Sequence, residues 1–140
     1  MKDLYNNITA ESVLHSVVLD ATATYTDIDL QGYNSCVLLI DVGADAGSGL
    51  GESHNLVFTL QDSADGTTYA NVETADMLDL TVASGVVLTI NSTDKDNTLY
   101  KLGYVGGKRY LQLVATETGT VSVPISIIVL KGNPENAPVA

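Results

Sequence analysis

The sequence predicts an all-β fold, a single-domain β-sandwich or jelly-roll-like arrangement of about eight or nine strands, and three observations carry that prediction. Val, Leu, Ile, Thr, Ser and Gly dominate, while Trp is absent and Phe occurs once, a composition suited to pleated, half-buried sheet. Short apolar or alternating runs recur at fairly regular spacing, separated by Gly, Asn, Asp and Ser clusters. The chain has 140 residues, enough for one hydrophobic core and one domain, and shows no internal repeat of solenoid length.

Residues 1–12, MKDLYNNITAES, read as an N-terminal arm, and residues 13–19 as the first strand. In residues 25–30, Tyr25, Asp27 and Asp29 alternate with Thr26, Ile28 and Leu30, the period of a strand with one wet face. Gln31-Gly-Tyr-Asn34 is turn chemistry, and residues 35–42 form a continuous apolar run that reads as a strand covered on both faces. Residues 43–53 hold four glycines and read as a flexible loop. Asp65-Gly66 between residues 55–61 and 67–72 signals a β-hairpin.

Residues 75–80 fit a helical turn or an irregular crossing, 85–90 a strand, and 91–97 a polar loop. Residues 99–105 and 109–116 flank Gly106-Gly107-Lys108, so GYVGGKRY at 103–110 is expected to be a hairpin tip whose glycines supply positive φ. Residues 121–131 form a last long strand, and Pro124 within it places its start at or beside a sheet edge. The sandwich domain is expected to end at 132. Residues 133–140, with two prolines and no periodicity, are expected to form an extended tail.

Seventeen acidic against six basic residues give a formal charge of −11. That balance argues against nucleic acid, whose phosphates must be met by cations. No apolar stretch approaches the roughly 20 residues of a membrane span, and the N-terminus lacks the apolar core of a signal peptide; a protein made in a cytoplasm, with no membrane partner, is expected. Cys36 stands alone within an apolar run and reads as a small buried hydrophobe.

Catalytic signatures are not found. The glycine-rich loop carries no Lys or Arg and matches no phosphate-binding motif. Asp94-x-Asp96 lacks the glycine and distant glutamate of a calcium loop, and His15 and His54 have no metal-ligand spacing. No G-x-S-x-G elbow occurs. Asp27 and Asp29, two apart on a strand, point to one wet face. The chain is therefore expected to be non-enzymatic, with no cofactor and no metal.

One cluster stands out against the acidity. Every base except Lys2 lies between residues 95 and 131, and Lys108 and Arg109 are adjacent, with Tyr100, Tyr104 and Tyr110 nearby. Tyr beside Arg is favoured at protein interfaces, and guanidinium pairs carboxylates bidentately. Tyr104, Lys108 and Arg109 are thus candidate contacts for acidic or carbonyl groups of a partner. The competing reading is that Arg109 pairs with an acid of its own domain.

The combination of YTDIDLQGYNSCVLLIDVG, LVFTLQDSADGTTYANV and NTLYKLGYVGGKRYLQLVATETGT, followed by a strand and KGNPENAPV, resembles small tailed-bacteriophage virion proteins encoded beside the major capsid protein. The resemblance spans residues 13–139 and rests on structural turns, so it carries no site residues across. It implies a virion protein, foremost a capsid decoration (cement) protein that binds the shell of the major capsid protein and stabilises the head. Head–tail connector and minor tail roles are alternatives, as is a host-surface or carbohydrate-binding β-module. The expected partners are the major capsid protein and neighbouring copies, as trimers at local threefold positions. The last strand and the tail, with Asn133, Pro134 and Pro138, are candidates for reaching a neighbour by strand addition or draping.

Overall fold

The structure, a computed structural model, describes residues 3–47 and 49–138, with the backbone alone at residues 26 and 27. The alternation expected for Thr26 and Asp27, and the last two positions of the expected tail, therefore lie outside the described residues. Among the described residues nine strands follow in order: β1 (Ile8–Leu19), β2 (Ala23–Asp29), β3 (Tyr33–Val42), β4 (Asn55–Ser63), β5 (Ala70–Asn71), β6 (Val86–Ile90), β7 (Thr98–Tyr104), β8 (Tyr110–Thr118) and β9 (Val123–Pro134). They form two antiparallel sheets packed face to face. Sheet A has the order β1-β9-β3-β7; in sheet B, β2, β8 and β4 lie side by side, with β5 and β6 both pairing β4.

Strand alternation builds the core between the sheets. In β3 the inward residues are Cys36, Leu38, Ile40 and Val42, and in β9 Val123, Ile125, Ile127 and Val129, all buried. Sheet B answers with Leu56, Phe58 and Leu60 from β4 and Leu111, Leu113 and Ala115 from β8, each wholly inaccessible. Phe58 lies opposite Ala115 across the ladder, so this bulky aromatic is matched by one of the smallest core residues. Each large apolar side chain buried in this way contributes about 1.5–3 kcal/mol.

The hairpin at Asp65-Gly66 forms as the sequence indicates. Asp65 Oδ1 accepts hydrogen bonds from the N–H groups of Thr67 (2.9 Å) and Thr68 (2.8 Å) and from Ser63 Oγ (2.8 Å), and Gly66 takes φ +72°. The Thr68 and Thr67 amides hold the Asp65 carboxyl far below the usual carboxylate range. Residues 73–80 make an irregular crossing through a 3₁₀ turn at Thr74–Asp76. They run to the edge of β7, where Leu78 N–H donates to Gly103 O (2.9 Å).

Four expectations are corrected. Residues 8–12 of the expected arm belong to β1, which pairs β9 from Ile8↔Gly132 onward and covers what would be a bare edge. Asn133 and Pro134 of the expected tail are the end of β9, with Pro134 opposite Tyr33. β9 is not at an edge: β1 and β3 flank it, so residues 125–131 have no free ladder to offer a neighbour. Pro124 is tolerated as the second residue of that strand, where β3 has ended and the Pro124 carbonyl accepts from Gly43 N–H (2.8 Å). Finally, β7 and β8 lie in different sheets, so 103–110 is not a hairpin tip but a crossing over one end of the sandwich.

Candidate functional site

Three segments distant in sequence meet at that end: the β2–β3 turn (30–35), the crossing (105–109) and the chain following β9. Between them lies an open cleft of roughly 540 Å³. Tyr104 anchors the crossing from beneath. Its ring is buried, its Oη donates to Asp62 Oδ2 (2.9 Å) and accepts from the N–H of Lys108 (3.2 Å). Burial, the Asp62 bond and that carboxylate's charge push the phenol far above its ordinary range. Neither glycine of the crossing has positive φ. Gly106 serves another need: a Cβ there would fall 2.5 Å from Tyr104 Cζ, so only a residue without a side chain lets the backbone pass over the ring.

Arg109 is committed within the chain. Its Nε and Nη2 donate to Asp29 Oδ1 and Oδ2, both at 2.8 Å, and Nη2 also reaches Gln31 Oε1 at 2.6 Å. Its guanidinium lies 4.7 Å from the Tyr110 ring centre. These bonds hold the Asp29 carboxyl below its usual range. The Asp29 carbonyl accepts from Lys131 Nζ (3.2 Å), which also pairs Glu11 Oε2 (2.7 Å). Asp29 of sheet B is thus tied to Lys131 of sheet A, closing this end of the sandwich.

The C-terminal segment docks on the same end. Asn34 Nδ2 donates to Asn133 O (3.1 Å), and Glu135 N–H to Gly32 O (2.9 Å). Pro138 is exposed beyond this anchorage. Of the six candidate residues, then, Tyr104 is a buried brace and not a contact, Arg109 takes the competing internal pairing, and Asn133 and Pro134 are strand residues. Lys108 is exposed and makes no ion pair or side-chain hydrogen bond among the described residues. Val105, 52% exposed, stands three residues before it.

Chemically, this end offers one uncommitted ammonium, an exposed valine and backbone polar groups on a braced frame. Cys36 lines the cleft, but burial pushes its thiol up to about 12, so it stays protonated and inert at neutral pH. His54 is occupied structurally, its Nδ1 accepting from Thr120 N–H (3.1 Å). Among the described residues no three His, Cys, Asp or Glu side chains converge as metal ligands.

A second surface departs from expectation. Residues 35–42 read as a strand covered on both faces, but the two-layer fold covers only the inner one. On the outer face of sheet A, Leu39 lies opposite Ile128 and Val37 opposite Leu130. Leu99 of β7 is 60% and Ile128 38% exposed, and Leu78, exposed, lies across Gly103 on the same face. The signal was present in sequence as missing polar alternation in two strands.

Compared with known proteins, the chain matches no family model, and no curated protein sequence matches it.

Proposed function

We propose that this chain is a non-enzymatic bacteriophage virion protein, a capsid decoration protein that binds the shell of the major capsid protein and stabilises the head. The reading rests on the sequence resemblance described above and on a sandwich whose distinctive features are presented surfaces. One observation carries it furthest: at one end of an acidic molecule, three distant segments are braced into a fixed frame that displays Lys108, an exposed cation without a side-chain partner among the described residues. A cation held in this way is suited to meet carboxylate or carbonyl groups on a partner. Binding only to the assembled shell stabilises it by RT ln(1 + [L]/Kd), about 2.7 kcal/mol at a hundredfold excess over Kd.

The experiment compares particles with and without the protein. Depleted particles are expected to release their genome at lower temperature, and adding back wild-type protein to restore resistance. Lys108→Glu is expected to bind shells at least about tenfold more weakly at unchanged melting temperature, the size of loss that removing a charged contact entails. Equal heat resistance with and without the protein would contradict the stabilising role.

A further inference from the structure

We infer that a second copy of this chain covers the outer face of sheet A, giving an isologous dimer. This goes beyond the capsid reading and does not depend on it. The face is the solvent side of four adjacent strands. At its centre Leu39, Ile128, Val37 and Leu130 form two directly opposed cross-strand pairs, extended by Leu99 on β7. Outward positions of an antiparallel sheet bordering water are ordinarily polar. Here the two middle strands put four apolar residues on the outward side, between Ser35 and Asp41 of β3, and no third layer covers them among the described residues.

Two arguments identify the occupant. The first is size. Four strands about 4.8 Å apart, over the roughly 30 Å length of β3, present about 600 Å² of projected area. Doubled across a twofold, that area passes the roughly 1,000 Å² that marks a specific interface. The second is charge. The chain carries −11, so association between copies is opposed over most of its surface. On this face, however, the outward positions of β3 and β7 carry one acid and one base: Asp41 opposite Leu99, and Lys101 opposite Leu39. The face is locally neutral and holds both partners of an ion pair, as a patch that packs on itself requires. Because the same patch is buried on both copies, the assembly closes as a dimer; a threefold ring would instead bury two different patches per copy.

The test uses the purified full chain without any capsid, so its failure and that of the capsid reading are distinguishable. Sedimentation velocity from about 1 to 100 μM covers the weak end of the affinities that interfaces of roughly this size reach, and the expected species has twice the 14.7-kDa chain mass. The Leu39→Glu/Ile128→Glu double variant is expected to be monomeric. If that variant does not fold, Lys101→Asp decides: its site is exposed, and making the face doubly acidic is expected to raise the dissociation constant at least about tenfold. A wild-type chain monomeric throughout, a folded double variant of unchanged mass, or an unchanged constant for Lys101→Asp overturns the inference.

Discussion

Replacing Tyr104 by Phe removes one oxygen from the brace beneath the 105–109 crossing, and its cost follows from the geometry. The hydroxyl donates to a carboxylate at 2.9 Å and accepts from the Lys108 amide at 3.2 Å, with Tyr104 3% and Asp62 8% exposed. A hydrogen bond to a charged group contributes about 1.5–3 kcal/mol, and the acceptor left behind cannot be fully rehydrated. We expect a loss of about 2 kcal/mol, or about 6 °C in Tm for a domain of this size. Denaturant unfolding of wild type, Tyr104→Phe, Asp62→Asn and the double variant forms a cycle whose coupling should exceed about 0.5 kcal/mol. The phenol is raised above its ordinary value of 10.0 in the folded state, so its contribution is full below pH 10 and fades above it as the unfolded chain ionises. The Tyr104→Phe penalty should therefore be constant up to pH 10 and shrink beyond. A loss below about 0.5 kcal/mol, or strict additivity with Asp62→Asn, would refute the brace.

Three further outcomes follow from the same end of the molecule. Gly106→Ala places a methyl against the Tyr104 ring and should cost about 1–3 kcal/mol by overpacking, read in the same unfolding assay. Arg109→Gln should leave Asp29 near its ordinary value of 3.8. Because the depressed Asp29 stabilises the fold above that value and loses its effect as pH falls through its lower folded one, the gap between wild type and variant should be widest above pH 4 and close in acid. That gap should be small, since the pair is 41% and 40% exposed and solvent screens it. Cys36, buried and raised to about 12, should resist a thiol reagent at pH 8 in the native protein and react on unfolding; rapid native labelling would contradict its placement.

Local patterning made most of the fold legible. Alternation and β-branched runs mark the strands, and Asp65-Gly66 marks its hairpin because the carboxylate and positive φ act within five residues. What the pattern could not convey was partnership across distance. Gly106-Gly107 suits a tight turn as well as a crossing over a tyrosine ring, and only the sheet order separates the two. Pro124 suggests an edge, yet β9 is central because its proline falls where β3 has ended. Lys108 and Arg109 are equivalent in sequence; Asp29, eighty residues from Arg109, makes one internal, while the other has no side-chain partner among the described residues. The apolar run at 35–42 reads as doubly buried, whereas the fold covers only its inner side, because no residue pattern tells how many layers will pack on a strand.

The most direct test of the proposed capsid role is co-sedimentation of the purified protein with phage heads that lack it, taken from the phage that the proposal expects to encode it. Saturable binding at a fixed ratio to the major capsid protein is expected, lost in Lys108→Glu, with the restored heads surviving to higher temperature. No saturable binding to such heads would contradict it.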